Sequence, residues 1–221
     1  MKFSSVLIAN RGEIAIRVAR AAADLGLRSV AVFSEDDAAS LHTRVADHAH
    51  ALPGVGAASY LDVDAVLEAA KENGCDAVHP GYGFLAERAD FARRCVQAGL
   101  TFIGPEPEHL ELFGDKARAR SAAAKADVPI IRGLDHAVSL AQAQAFFESL
   151  GEDGAMIIKA VAGGGGRGTR AVMNAGELEP AFARCQSESL AAFGRDDLYV
   201  EQFMLRARHI EVQVLGDGRE V

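Results

Sequence analysis

The amino-acid sequence predicts an α/β protein with two parts, a parallel sheet with helices on its faces and a smaller domain with a glycine-tipped hairpin. Short apolar runs alternate with segments of helical periodicity over about the first hundred residues. A βαββα order follows between about residues 130 and 200, and its hairpin carries a glycine cluster at 163–168. Because a β-α-β crossover brings the second strand parallel to the first, we expect the first part to be a parallel sheet.

The predicted strands are short apolar runs, and the predicted helices carry apolar residues at helical spacing. Strands are expected at 6–9, 29–33, 77–79, 101–103, 128–131, 156–161, 169–173, 198–203 and 209–215, with a weaker candidate at 45–52. Helices are expected at 13–25, 63–73, 88–98, 106–126 with a break at Gly114-Asp115, 138–150 and 176–193. Asp62 is expected to cap the helix that follows it, because its carboxylate can accept hydrogen bonds from the first turn.

The composition is that of an ordinary globular protein, with 49% apolar and 24% charged residues. The net charge of −8 argues against a nucleic-acid-binding surface, although it allows a local basic pocket for an anion. The sequence has neither a run of 18 apolar residues nor a signal-peptide pattern. We therefore expect a cytoplasmic protein that does not act at a membrane.

Neither the cysteines nor the histidines indicate a metal site. Cys75, Cys95 and Cys185 are few and widely spaced, so we expect small core residues in a reducing compartment. The group formed by His42, His48 and His50 has no nearby cysteine and fits no common metal-ligand spacing. Hydrogen-bonded or solvated histidines are the expectation there.

The glycine cluster places five glycines within the six positions 163–168. At roughly 0.5–1 kcal/mol each relative to alanine in ordered structure, they cost about 2.5–5 kcal/mol. That is a large share of a typical domain stability of about 5–15 kcal/mol. Such a cost indicates that bare backbone is needed, usually for the close approach of an anion such as a phosphate. Lys159 and Arg167 flank the cluster with positive charge.

Three alternatives compete for this cluster. A mobile surface hairpin needs only one or two glycines. A dinucleotide fingerprint, matched by Gly163, Gly165 and Gly168, needs a helix to open at the third glycine, whereas a strand-like run follows here. A P-loop is excluded because its G-x-x-x-x-G-K-[ST] pattern does not occur. The remaining interpretation is a loop that joins two antiparallel strands and lies over phosphates as a flap.

Two further stretches are candidate binding elements. The loop Pro80-Gly-Tyr-Gly-Phe-Leu85 follows a predicted strand, and ligands gather outside the carboxyl ends of parallel strands. The alternative there is a structural turn. Lys116 follows the break at Gly114-Asp115, where a helix N-terminus favours a phosphate, and a solvated surface lysine is the alternative.

The predicted strand at 209–215 is followed by Gly216-Asp-Gly218, a strong hairpin signal. The chain stops at Val221, where the returning strand has barely started. A hairpin with an unfinished partner leaves an unpaired edge. We therefore expect the sequence to be the N-terminal piece of a longer protein.

The chain resembles the N-terminal half of a biotin carboxylase, the ATP-grasp component of acetyl-CoA, propionyl-CoA and pyruvate carboxylases. The resemblance covers essentially all 221 residues. It rests on Ile8-Ala-Asn-Arg-Gly-Glu-Ile-Ala15, Val78-His-Pro-Gly-Tyr-Gly-Phe-Leu85, Phe102-Ile-Gly-Pro105, Gly114-Asp-Lys116, Ile158-Lys-Ala160 with the glycine cluster, and Arg208-His-Ile-Glu-Val-Gln-Val214. It implies an N-terminal Rossmann-like (pre-ATP-grasp) domain over residues 1–115 and an incomplete ATP-grasp domain over 116–221, with a glycine-tipped lid at about 130–203.

The resemblance also implies the roles of particular residues. Lys116 and Lys159 would hold ATP phosphates, under lid backbone from Gly164, Gly165 and Gly166. The ATP site would be completed by Glu201, Gln202, Phe203 and Met204, which receive the adenine and ribose, and by His209, which contacts the nucleotide. Tyr82 and Gly83 match a loop that lies beside the biotin ring.

In the family, bicarbonate attacks the γ-phosphate of ATP, the carboxyphosphate releases carbon dioxide, and biotin is carboxylated. The resemblance thus implies ATP, Mg²⁺ and biotin as cofactors. It implies bicarbonate, a biotin carboxyl carrier domain and a carboxyltransferase as partners, in an acyl-CoA or pyruvate carboxylase that forms a homo-oligomer. The family's general base, magnesium-binding carboxylates and substrate-binding arginines lie beyond Val221. We therefore expect no catalytic or metal-binding residue in this chain, and no activity from it alone.

Four positions depart from the family pattern and bear on lid anchoring and packing. Gly154-Ala155 stands where Tyr-Pro is common, Arg132 replaces a usual proline, and Thr169 replaces a usual methionine. Two alternative functions stay open. A carbamoyl-phosphate synthase large-subunit fragment should lack the loop from His79 to Gly83, and a non-catalytic nucleotide-binding or oligomerisation module would bind ATP without turnover. A nicotinamide-dependent oxidoreductase lacks the glycine loop that it needs.

Overall fold

The computed structural model describes residues 3–134, 136–151, 154–161 and 168–216, with Lys116 and Ala117 described by their backbone alone. The chain divides into two compact units, Met1–Ala119 and Arg120–Val221. Glycines 163–166, the centre of the glycine cluster, lie outside the described residues. Within the described ranges, no helix has the length and apolar character needed to cross a membrane.

The first unit contains the predicted parallel sheet, with the strand order β3-β2-β1-β4-β5. Its strands are β1 (Ser5–Ile8), β2 (Arg28–Phe33), β3 (His48–Ala51), β4 (Ala77–His79) and β5 (Thr101–Phe102). Its helices are α1 (Gly12–Asp24), α2 (His42–Val45), α3 (Val63–Glu72), α4 (Ala89–Gln97) and α5 (Pro107–Gly114), with 3₁₀ turns at Glu35–Asp37 and Gly56–Leu61. A further helix, α6 (Lys116–Lys125), spans the division between the units. The parallel-sheet prediction is confirmed.

The central strand β1 is apolar on both faces, which is the pattern of a parallel strand covered on each side. Leu7 and Ile8 are both fully buried, but they belong to different clusters. Leu7 lies in the cluster of Tyr60 and Phe91, and Ile8 packs in the cluster that contains Val18 of α1. Helices therefore cover the two faces of the sheet and leave its strand ends to the loops.

Asp76 ties the amino ends of β1 and β4 together. Its Oδ2 accepts hydrogen bonds from the backbone N–H groups of Ser4 (2.8 Å) and Ser5 (3.1 Å) and from the hydroxyls of Ser4 (2.7 Å) and Ser5 (3.0 Å). These bonds, that of the Ser4 side chain first, lower the pKa of Asp76 to about 2. The carboxylate is therefore ionised at neutral pH and fixes how the two strands begin.

The second unit contains a three-stranded antiparallel sheet in the order β7-β6-β8. Its strands are β6 (Met156–Ala160), β7 (Thr169–Val172) and β8 (Leu198–Gln202), and its helices are α7 (Leu140–Ser149) and α8 (Ala175–Phe193). Alternate residues of β6, namely Met156, Ile158 and Ala160, are buried in one core cluster with residues of both helices. The antiparallel pairing of β6 with β7 confirms the predicted hairpin.

Three predicted strands are wrong in whole or in part. Residues 128–131 form no strand, and Val128, Ile130 and Ile131 are 52%, 44% and 48% exposed. Residues 209–215 also form no strand, because a ladder needs a paired neighbour and none is present among the described residues there. The weak candidate at 45–52 is divided between the end of α2 and the shorter strand β3.

Two helices begin directly after a residue whose side chain caps them. Asp62 accepts a hydrogen bond from the Ala65 N–H at 3.1 Å, which confirms its predicted role as the cap of α3. Ser139 and Gln142 form a capping box, so α7 begins at Leu140 and not at residue 138. The predicted helical break lies at Asp115, between α5 and α6.

Candidate functional site

A buried asparagine holds the loop that follows β4. Asn10 is 2% exposed, and its Nδ2 donates to the carbonyl oxygens of Pro80 (2.7 Å) and Tyr82 (2.8 Å). Its Oδ1 accepts from the Arg11 N–H at 2.9 Å. The adjacent strands β1 and β4 end beside each other, so the loop after β1 supplies the donor that orders the loop after β4. Sequence reasoning missed Asn10, because nothing in the periodicity shows a partner 70 residues away.

The loop presents an ordered aromatic side chain to solvent. Tyr82 is 61% exposed, and its hydroxyl donates to Glu13 Oε1 at 2.7 Å, which raises the pKa of the phenol. Gly83 has a φ of +65°, and Phe84 has a φ of +41° with its ring stacked on Tyr60 at 5.3 Å. The predicted loop residues Tyr82 and Gly83 therefore lie in a defined turn, anchored from both sides.

Arg11 and Asp37 form a second polar contact in the same unit. Arg11 Nη1 lies 3.3 Å from Asp37 Oδ2, and the Arg11 guanidinium is 5.8 Å from the Tyr60 ring centroid. The Tyr60 hydroxyl donates to the same Asp37 oxygen at 2.8 Å. Burial alone would raise the pKa of Asp37, but hydrogen bonds from Ser40 and Tyr60 and the charge of Arg11 lower it. The sequence motif around Arg11 thus orders the ring that Phe84 stacks on.

The second unit carries a charged cluster on the face of its sheet opposite the helices. Lys159 pairs across the ladder with Tyr199, and Ile157 pairs with Glu201, so Lys159 and Glu201 are diagonal neighbours on one face. Lys159 Nζ lies 2.5 Å from Glu201 Oε2, and Arg120 Nη1 lies 3.1 Å from Glu201 Oε1. The structure thus brings together Lys159 and Glu201, two of the residues predicted to bind ATP, and adds Arg120, which was not predicted.

This cluster is half-buried and carries an excess of positive charge. The side chains of Arg120, Glu201 and Lys159 are 19%, 14% and 32% exposed. Two cations share one carboxylate, so the formal sum is one positive charge. Tyr199 lies on the same face, and burial first, then the Glu201 charge, raises its pKa to about 12. The sheet face is therefore suited to an anionic ligand.

Residues 201–204, the hinge at the end of β8, have two backbone amides that are already hydrogen-bonded within the unit. The Gln202 N–H donates to the Arg132 carbonyl at 2.8 Å, and the Phe203 N–H donates to the Ala155 carbonyl at 2.7 Å. No hydrogen bond to another described residue engages the Met204 N–H. Of the three amides from Gln202 to Met204, two are already used within the unit.

The remaining predicted ATP-binding residues are described only in part. Lys116 begins α6, as predicted, but its side chain is not described, and Gly164, Gly165 and Gly166 lie outside the described residues. His209 lies in an exposed segment without a strand and contacts Glu211 at 3.2 Å. His209 therefore does not lie on the strand that the sequence predicts at 209–215.

The three cysteines are buried in the core, and His42 and His50 are hydrogen-bonded. All three cysteines are free and buried, which confirms the prediction of small core residues. His42 Nε2 lies 3.2 Å from the Val32 carbonyl, and His50 Nδ1 lies 3.0 Å from Asn73 Nδ2, so both are hydrogen-bonded as expected. Across the described ranges, no group of three His, Cys, Asp or Glu side chains is placed to hold a metal ion.

Comparison with known proteins assigns the family. Residues 2–110 match the family described as the biotin carboxylase N-terminal domain. Residues 115–221 match the one described as the carbamoyl-phosphate synthase L chain ATP-binding domain. The chain belongs to the biotin carboxylase family. The resemblance read from the sequence motifs is thereby confirmed.

Individual relatives agree with that assignment. The mitochondrial pyruvate carboxylase of Mus musculus is 52% identical over 216 residues, which are 96% of this chain and 18% of the mouse protein. The biotin carboxylase domain of Hydrogenobacter thermophilus 2-oxoglutarate carboxylase, solved with MgADP, ADP and bicarbonate, has a TM-score of 0.83 at 40% identity. It is matched over 93% of this chain and 45% of its own length.

A third relative shares the fold to the same degree. The biotin carboxylase of Campylobacter jejuni, solved as a β-γ-ATP complex, has a TM-score of 0.84 at 38% identity, over 92% of this chain and 46% of its own. These neighbours confirm the predicted fold class, a Rossmann-like parallel sheet followed by an ATP-grasp domain. The chain spans less than half of each solved relative and about a fifth of the mouse protein's length.

Proposed function

We propose that this chain provides the ATP-phosphate lid and the biotin-side loop of a biotin carboxylase, which carboxylates biotin with bicarbonate and ATP through carboxyphosphate. The protein would act within an acyl-CoA or pyruvate carboxylase. The observation that carries the proposal is the cluster of Lys159, Glu201 and Arg120, with its net positive charge, on the open sheet face beside the hinge. Relatives named as pyruvate carboxylases, and a neighbour solved with MgADP and bicarbonate, support it.

The phosphate-binding role falls on Lys159. Phosphoryl transfer needs little covalent chemistry from a protein and much positioning and charge neutralisation. A lysine at about 4 Å from a phosphate charge contributes on the order of 4 kcal/mol at an effective dielectric of about 20. Lys116 and the backbone of Gly164, Gly165 and Gly166 are proposed to join it. Mg²⁺ would neutralise phosphate charge in the reaction, and none of the described residues is assigned to hold it.

The adenine is proposed to lie against the hinge at 201–204. The Gln202 and Phe203 amides are already used, so the Met204 N–H is the hinge donor that we assign to the base. His209 is proposed to contact the nucleotide, as the family resemblance implies. The predicted domain limits, 1–115 and 116–221 with a lid at about 130–203, are part of this proposal.

The biotin-side role falls on Tyr82 and Gly83. An exposed aromatic ring held by Glu13, on a loop fixed by Asn10, offers an ordered apolar surface for the biotin ring. A biotin carboxyl carrier domain and a carboxyltransferase are the proposed partners, and the dimer named for the Hydrogenobacter neighbour supports a homo-oligomer. A cytoplasmic location is also proposed. Because the mouse relative is mitochondrial, cell fractionation should test it.

The test is ATP cleavage by the intact protein that carries this sequence, measured with free biotin in the presence and absence of bicarbonate. Phosphate release that requires bicarbonate, together with incorporation of labelled bicarbonate into biotin, is the expected result. ATP binding without bicarbonate-dependent cleavage would favour a non-catalytic nucleotide-binding module. Formation of carbamoyl phosphate from ammonia would favour the carbamoyl-phosphate synthase alternative.

A further inference from the structure

Arg120 connects three separate parts of the second unit. Its side chain starts from α6 and donates through Nη2 to the Ile131 carbonyl at 2.7 Å. Through Nη1 it donates to Glu201 Oε1 on β8 at 3.1 Å. Glu201 uses its other oxygen, Oε2, to hold Lys159 Nζ. The guanidinium is therefore linked to the Lys159 ammonium through one carboxylate, which lies 81 residues along the chain from Arg120.

Gly133 lies beside Arg120 and Glu201, and its lack of a side chain leaves room for their contact. A Cβ built on Gly133 would lie 3.0 Å from Glu201 Cγ and 3.2 Å from Arg120 Nη2. It would also lie 2.9 Å from the Val200 carbonyl oxygen, which is closer than Cβ atoms come in proteins. Gly133 forms an isolated bridge with Glu201, so its bare backbone lies directly against the pair. The contact between Arg120 and Glu201 is therefore supported by the Ile131 carbonyl, which accepts from Arg120, and by Gly133, which has no side chain to displace either residue.

The contact between Arg120 and Glu201 changes the net charge that an anionic ligand would meet at this cluster. A pair of Lys159 and Glu201 alone would be neutral, and a phosphate would compete with the carboxylate for the ammonium. With Arg120 present, the carboxylate is shared between two cations and the cluster keeps one positive charge. Half-burial keeps these charges from being fully screened by solvent.

We propose that Arg120 is a positioning residue for the triphosphate of a nucleotide: it holds Glu201, which orients Lys159, and it leaves the cluster with a net positive charge. The inference rests on the proposed binding of ATP phosphates by Lys159. Arg120 is therefore expected to affect the affinity for a polyphosphate more than the affinity for a nucleoside, which would meet Glu201 only at the hinge. A lysine could supply the charge at this position but not the fork that reaches both Ile131 and Glu201.

The test compares ATP with adenosine, using isothermal titration of the intact protein. Arg120→Gln should weaken ATP binding about tenfold, or about 1.4 kcal/mol, and adenosine binding by less than about twofold. Arg120→Lys should recover most of the ATP affinity, because the charge returns. Arg195→Gln is the matched control, since it removes the same charge from the same unit at a side chain that is 64% exposed. It should change neither affinity by more than about twofold.

The outcomes separate this inference from the proposed function. An equal loss of ATP and adenosine affinity in Arg120→Gln, or no loss of either, would overturn the positioning role. If the unaltered protein bound ATP no more tightly than adenosine, the proposed nucleotide function would fail, and the role of Arg120 with it. If Arg120→Gln did not fold, Arg120→Lys would decide: a loss of about two- to threefold confined to ATP supports the role, whereas no loss of ATP affinity, or equal losses of both ligands, overturns it.

Discussion

Asn10 occupies the space that a side chain at Gly81 would need. A Cβ built at position 81 would lie 2.7 Å from Asn10 Nδ2 and 3.0 Å from its Cγ, whereas real Cβ atoms essentially never come within 3.0 Å of other atoms. The carboxamide can therefore reach the Pro80 and Tyr82 carbonyls only because residue 81 is a glycine. The loop after β4 and the turn after β1 therefore pack closely against each other.

Gly81→Ala should destabilise the protein more than Gly83→Ala. Both glycines have a φ of +65°, so each alanine carries a backbone strain of roughly 1–2 kcal/mol. A Cβ at position 83 meets nothing within 4 Å, whereas a Cβ at position 81 also displaces Asn10. The displaced hydrogen bonds add about 0.5–1.5 kcal/mol each. Urea unfolding of the two variants measures the difference, and equal losses would contradict the packing argument.

Asn10→Ala should lower the free energy of unfolding by about 1–3 kcal/mol, because it leaves two loop carbonyls without their donor. It should also raise the KM for free biotin, since the loop that carries Tyr82 loses its anchor. Asn174→Ala is the control: Asn174 precedes α8 but makes no side-chain capping bond, so its loss should change stability by less than about 0.5 kcal/mol. Unfolding curves and biotin saturation curves of both variants test this.

Lys159→Ala should raise the KM for ATP at least about tenfold, because it removes the cation assigned to the phosphates. Lys125→Ala is the matched control, an exposed lysine in the last turn of α6. The control should leave ATP saturation unchanged. Steady-state kinetics of bicarbonate-dependent ATP cleavage make the comparison, and an unchanged KM in Lys159→Ala would remove the phosphate role of this lysine.

The stability of the first unit should fall as the pH is lowered below about 6.5. Burial lowers the pKa of His79 below its usual value of 6.5, so the folded state binds fewer protons than the unfolded state. Stability is therefore present above that pH and decreases as the pH falls toward the folded pKa. Protonation also removes the Nδ1 acceptor that receives the Gly81 N–H at 3.0 Å.

Urea midpoints at pH 7.5 and pH 5.5 measure this dependence. His42 adds to it with the same sign, because burial lowers its pKa as well. His79→Gln should reduce the pH dependence, and replacement of the exposed His48 should not. A midpoint independent of pH in the unaltered protein would show that His79 and His42 titrate alike in the folded and unfolded states.

The cysteines should resist alkylation in the folded protein. Burial raises the pKa of Cys95 to about 12 and that of Cys185 to about 11, so neither forms a thiolate near pH 8. Iodoacetamide should label them only after unfolding in urea, with mass spectrometry as the readout. Rapid labelling of either residue under native conditions would show that its core cluster opens readily.

Local periodicity was enough to predict most of the fold. Strands β1, β2, β4 and β6 follow from apolar runs that are largely buried in the structure. The runs at 128–131 and 209–215 have the same apolar character, yet their side chains are exposed. A strand needs a paired neighbour as well as a suitable sequence, and a single sequence does not show which edge is available.

The candidate site was predictable where a motif or a family match marks the residue, as for Lys159 and Glu201. Arg120 and Asn10 were missed because their partners are 81 and 70 residues away, and neither has a local pattern. The hinge was only partly predictable. The amides of Gln202 and Phe203 are used by carbonyls of Arg132 and Ala155, which precede the hinge by many residues.

Strands β1 and β4 are fastened at both ends, by Asp76 at the start and by Asn10 at the finish. These hydrogen bonds join residues about 70 positions apart, so forming them closes a long loop of chain at an entropic cost. During synthesis, β1 is made before β4, so the pairing of these two strands forms only after β4 has been made. A nascent chain that ends before β4 lacks the Pro80 and Tyr82 carbonyls that Asn10 binds, so the loop after β4 takes its shape only once β1 and β4 are paired.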